Sequence, residues 1–109
     1  MSDVRLVYVT VADAAEAERL ANTVVTERLA ACANILGSIQ SVYFWQGKLE
    51  HSTEVALLFK TTQLLVSGLI DRVKTLHSYE CPAILVLPVV GGNDTFLQWI
   101  RDETRTTGA

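Results

Sequence analysis

The chain has 109 residues, half of them apolar and 19% charged, with a formal net charge of −3. That length fits one domain spanning 1–109 rather than two, and the apolar content at low net charge excludes a disordered chain. With 9 Lys and Arg against 12 Asp and Glu, binding of nucleic acid by phosphate neutralisation is excluded as well. The longest apolar run, Ala83 to Val90, is far too short to span a membrane, so no membrane partner is expected. No charged and then apolar leader opens the chain, so the expected location is cytoplasmic. The two cysteines, Cys32 and Cys81, sit in apolar runs and are expected as buried, unbridged thiols.

The first element is Val4 to Val11, rich in β-branched and aromatic residues and closed by a turn-forming Asp: a strand. Asp13 then caps a helix, with Glu16 three residues on able to reach back. Ala17, Leu20, Ala21, Val24 and Val25 recur at helical spacing, Glu16, Glu18 and Arg19 face away, and the helix runs to about Leu29. Cys32 to Lys60 reads as one long hairpin turning at Gln46-Gly47, with a bulge or kink near Gly37. On its return, Leu49, Val55, Leu57 and Phe59 share one face, and Glu50, Ser52 and Glu54 share the solvated other.

A second helix starts at Thr61 or Thr62, whose hydroxyl is expected to cap it, and carries Leu65, Val66, Leu69, Val73 and Leu76 as its apolar stripe. It stops before Cys81-Pro82, because proline disfavours helical geometry in the residue before it. Ala83 to Leu87 is a buried strand. Asn93 or Asp94 caps a last short helix with Phe96, Leu97, Trp99 and Ile100, and the polar tail after Glu103 is expected to fray.

The order is β-α-β-β-α-β with an extra C-terminal helix. That is an α+β, ferredoxin-like pattern: an antiparallel sheet with two helices on one face. The hairpin strands are too long for so small a sheet, so one end projects with Val42 and Phe44 uncovered. This points to an oligomer built by extending the sheet.

No Walker loop, GxGxxG, HExxH or G-x-S-x-G is present, and no nucleophile–base pair is visible, so an enzyme is not expected. The most varied chemistry lies in His77-Ser78-Tyr79-Glu80-Cys81-Pro82. Imidazole, carboxylate and thiol within five residues form a donor set for a borderline or soft transition metal. On composition the structural reading is favoured, with His77 bonding the last helix carbonyls and Cys81 packed in the core. The hairpin tip, Tyr43 to Glu50, reads as a subunit contact or the wall of a ligand pocket.

Several stretches together resemble the CutA family of divalent-cation tolerance proteins. They are Glu27 to Ile35, Ser41 to Glu50, Lys60-Thr61-Thr62, Leu76 to Pro82, and Phe96-Leu97-Gln98-Trp99-Ile100, in the family's order and spacing. The resemblance implies a homotrimer similar in architecture to the PII signal transducers, and a role in the response to divalent metal ions. It also implies a link to copper through His77, the one matching imidazole; weak binding of Cu2+ or another divalent cation is expected there, with Glu80, on the same loop, as the neighbouring carboxylate. The cysteine that some members carry in the first strand is Val9 here. The first of their two histidines is Leu76, and the following proline is Ser78. A PII-like sensor that takes a small anionic ligand between subunits is the alternative expectation.

Overall fold

A computed structural model describes residues 2–106. The elements are β1 (Val4–Val11), α1 (Ala14–Thr26), β2 (Cys32–Trp45), β3 (Lys48–Thr62), α2 (Val66–Leu76), β4 (Ile84–Pro88) and α3 (Asp94–Asp102), with a 3-10 turn at Gln63–Leu65 before α2. The strands form one antiparallel sheet in the order β2-β3-β1-β4, which is the α+β, ferredoxin-like arrangement expected from the sequence.

Strand alternation sets the two faces. Val7, Val9 and Val11 of β1 and Val55, Leu57 and Phe59 of β3 point to one side, where they pack with Ala17, Leu20 and Val24 of α1 and Leu69 and Val73 of α2. Val4 is out of phase with these residues. It packs instead with Ala31 and with Leu97 and Ile100 of α3, so α3 closes the far end of the opposite face. The rest of that face is uncovered. Register places Leu6, Tyr8, Leu58, Leu85 and Leu87 on it, and Leu85 is 62% exposed.

β1 stops pairing at Val11↔Val55, whereas β2 and β3 stay paired out to Trp45↔Lys48. Residues 39–54 therefore form a two-stranded arm about 20 Å long at roughly 3.3 Å per residue, and the molecule measures 45 × 25 × 21 Å. The expected bulge lies between Ile35 and Gly37, with Gly37 at φ 104. The extra residue inverts the alternation of β2, so Ala33 and Ile35 below it and Val42 and Phe44 above it share the helix side. The tip turns on Gln46 (φ 51) and Gly47 (φ 80), both left-handed, as a two-residue hairpin loop requires.

Several local expectations change. β4 begins at Ile84 rather than Ala83 and is not buried. Ile84 is half-buried, and Leu85, Val86, Leu87 and Pro88 are exposed, because β4 is an edge strand and no element of this chain covers the face of Leu85 and Leu87. α1 ends at Thr26, not near Leu29: Arg28 takes φ 59, its N–H bonds Val25 O, and Leu29 N–H bonds Val24 O, which closes the helix. Neither threonine caps α2, since β3 runs on to Thr62 and the Thr61 hydroxyl donates to Leu29 O at 2.7 Å. Both thiols are free, but only Cys32 is half-buried. Cys81 is exposed, because it belongs to the loop ahead of β4, over which no element of this chain packs.

The tail does not fray directly after Glu103. Thr104 is buried, and Arg105 bonds Arg28 O through its N–H and Glu27 O through Nε. The expectation for residues 107–109 lies outside the described residues. No helix among those described is long and apolar enough to cross a membrane.

Candidate functional site: the polar loop after α2

The loop after α2 carries the residues singled out in the sequence, and each of its first three residues is tied to a different element. His77 leaves the helix with extended backbone, its N–H still bonded to Val73 O. Its side chain is fully buried. Nε2 donates to Thr10 O at the end of β1 (2.7 Å), and Nδ1 accepts the N–H of Tyr79 (3.0 Å). These partners make Nε2 the donor and Nδ1 the acceptor, and they leave neither nitrogen free for a metal.

Ser78 binds α1. Its N–H donates to Glu16 Oε2 at 2.7 Å and its hydroxyl to Glu16 Oε1 at 2.8 Å. Glu16 also reaches back to the N–H of Ala12 (3.1 Å), while Asp13 caps the helix through the N–H of Glu16. Burial by itself raises the pKa of Glu16. The N–H groups of Ser78 and Ala12 and the Ser78 hydroxyl outweigh that and hold the carboxyl below its ordinary value. The sequence reading placed Glu16 on the outer side of α1, yet it is 3% exposed, because this loop folds over the helix start.

Tyr79 spans to the arm. Its hydroxyl donates to Glu54 Oε1 at 3.0 Å, and the hydroxyl of Ser41 donates to Glu54 Oε2. Burial, and then the Glu54 carboxylate, push the Tyr79 phenol up to about 12, so it remains a donor at neutral pH. Glu54 is itself buried, which corrects its placement on a solvated face: β1 has ended beside it and the Tyr79 ring takes that space.

Glu80, the second residue expected at a metal, is exposed. The carboxylate that the fold brings to His77 is Glu16, 3.7 Å from Nδ1. Among the described residues no group of three or more His, Cys, Asp or Glu is placed to hold a metal ion.

The whole pattern has a family match. A model described as CutA1 divalent ion tolerance protein matches residues 5–103. This chain belongs to the CutA1 family. The divalent-cation tolerance protein CutA of Pectobacterium atrosepticum is 39% identical over 96% of each chain. The chloroplastic protein CutA of Arabidopsis thaliana is 43% identical over 92% of this chain, but over only 55% of its own length. The chain likewise spans about half of the rice and human CutA relatives. The crystal structure of CutA1 from Oryza sativa superposes with a TM-score of 0.93 at 40% identity, covering 95% of each chain.

Within this CutA1 fold, Val9, where the sequence resemblance leads one to expect a cysteine in some members, is buried in the core, and Leu76 packs against the same core. Both sites are apolar, and His77 is engaged twice. One chain's donors therefore do not make a closed copper site.

Sequence reasoning missed Glu16, Ser41 and Glu54 as partners of this loop. The only available signal was the spacing from Asp13 to Glu16.

Proposed function

We propose that this divalent-cation tolerance protein acts as a cytoplasmic homotrimer in the response to metal ions and catalyses no reaction. Cu2+ or another divalent ion binds weakly, with His77 as the imidazole and Glu80 as the exposed carboxylate on the same loop. The observation that carries the weak affinity is the double engagement of the His77 ring. A metal on Nδ1 displaces the N–H of Tyr79, and one on Nε2 displaces Thr10 O. Part of the coordination energy is spent on those exchanges, and Val9 and Leu76 add no donors. The trimer is supported by the unpaired arm and by the uncovered sheet face carrying Leu85 and Leu87, which a lone chain leaves in water.

A small anionic ligand has less support, because the junction bears the carboxylates of Glu16, Glu54 and Glu80. Calorimetry with Cu2+ and Zn2+ on wild type and His77→Ala tests the assignment. The expected result is weak binding in which the two ions compete and which the substitution reduces. Unchanged Cu2+ binding in His77→Ala rejects it.

A further inference from the structure

The polar loop folds over the start of α1. At the other end of that helix, about 20 Å away at 1.5 Å per residue, a cleft of about 230 Å³ opens between the last turn of α1 and α3. Val25, Ala31 and the indole of Trp99 give it apolar walls, and Thr26, Arg28 and Glu103 complete the lining. Trp99 stacks on Phe96, with ring centroids 5.5 Å apart and planes 22° from parallel, which holds the indole in place.

The charged groups of the cleft are one cation and one anion. Arg28 Nη1 donates to Glu103 Oε2 at 3.1 Å and to Glu103 O at 3.3 Å. Nε and Nη2 of Arg28 and Oε1 of Glu103 make no hydrogen bond among the described residues, so half of the guanidinium fork and half of the carboxylate stay available. The backbone that carries this guanidinium is strained. Arg28 sits at φ 59, in the left-handed conformation that closes α1 and that glycine usually takes. Its partner offsets little of that strain, because the pair is solvent-exposed. Backbone strain that stability does not explain is a feature of binding positions.

We propose that the cleft binds a free aliphatic α-amino acid of about leucine's size. Its carboxylate takes Nε and Nη2 of Arg28, its ammonium donates to Glu103, and its side chain lies against Val25, Ala31 and Trp99. Three observations select this occupant. Opposite charges 3.1 Å apart match a carboxylate and an ammonium borne on one carbon, whereas a lone anion or cation answers only half of the pair. The apolar walls disfavour a polar side chain, which would be buried there without partners. At ~30 Å³ per water, the cleft holds about eight water-sized groups, enough for one amino acid and too few for a nucleotide or a peptide.

The cleft is remote from the surfaces assigned to assembly. β2 starts beside it at Cys32 and reaches the arm tip only at Trp45, and β4 forms the opposite edge of the sheet. It shares no residue with the loop of His77 and Glu80, and EDTA keeps metal out of the test.

The chain has two tryptophans, so nitrogen-15 labelling of the indoles gives two NMR signals, with Trp45 at the arm tip as the control. L-Leucine is titrated at constant pH and ionic strength, beside isocaproate, which lacks the ammonium, and isoamylamine, which lacks the carboxylate. The expected result is a saturable shift of the Trp99 signal with Trp45 unmoved. Affinity should fall at least tenfold for either analogue, and equally in Arg28→Gly and Glu103→Gln, since each change removes a charge-assisted bond. Arg28→Gly relieves the left-handed backbone and therefore folds, so lost binding there reports the missing guanidinium. A Trp99 signal that leucine does not move, wild-type affinity in Arg28→Gly or Glu103→Gln, or isocaproate binding as tightly as leucine overturns the proposal.

Discussion

The buried Glu16 carboxylate makes the loop after α2 sensitive to acid. Its pKa falls on folding, from an ordinary value of 4.5, through bonds to Ser78 and Ala12 that outweigh burial. Its stabilising contribution is therefore complete above that value and is lost as pH falls through the lower, folded one. Urea titrations from pH 6 downward should show declining stability in wild type and a flatter profile in Glu16→Gln. At neutral pH the amide should cost about 1–3 kcal/mol, because its NH2 group cannot accept what one carboxylate oxygen accepts. An unaltered acid profile in Glu16→Gln would assign the acid response elsewhere. Tyr79 works in the opposite direction. Its folded value of about 12 exceeds the ordinary 10.0, so its contribution is complete below pH 10 and disappears as pH rises towards 12. Phenolate absorbance should therefore show a late-titrating tyrosine that is missing in Tyr79→Phe.

The helices and strands show which features are local and which are not. The end of α1 is closed by a left-handed residue, a position where glycine is the usual choice, yet Arg28 occupies it at φ 59. A non-glycine residue in that conformation costs about 1–2 kcal/mol. The compensating Arg28–Glu103 pair, 3.1 Å long, is solvent-exposed, and such pairs contribute about 0–1 kcal/mol. Arg28→Gly is therefore expected to raise the melting temperature slightly, and a lower one by calorimetry would show that the ion pair dominates. Element order, the bulge at Gly37 and the turn at Gly47 were legible in the sequence, because alternation, helical spacing and glycine are local signals. The polar junction was not. Glu16 is covered by Ser78, 62 positions away, and Glu54 is buried because β1 stops at Val11. Both depend on where distant segments meet, and helical or strand periodicity carries no record of that. The same holds for Cys81, whose apolar neighbours suggested burial although the loop that carries it lies outside the packed layers of this chain.

At the scale of the whole molecule, the arm and the open sheet face determine how copies meet. Phe44 is 76% exposed at the end of a two-stranded ribbon, and a ribbon of two strands is marginal in water without a third surface. Leu85 and Leu87 lie on the outermost strand, on the face that α1 and α2 leave uncovered. A monomer would expose these surfaces together, so association that covers them adds stability through burial of apolar area. Sedimentation is expected to give a species of three 12.0 kDa chains at micromolar concentration, with a melting temperature that rises with protein concentration. Leu85→Glu separates folding from assembly. At 62% exposure in a single chain, the new carboxylate remains hydrated and the subunit folds. In the assembled protein the same group would be buried without a partner, a cost of several kcal/mol at each of its copies. The variant should therefore sediment as a monomer with the circular dichroism of the native fold and a lower melting temperature that no longer depends on concentration. A Leu85→Glu protein that still sediments with wild type would show that the copies meet through another surface.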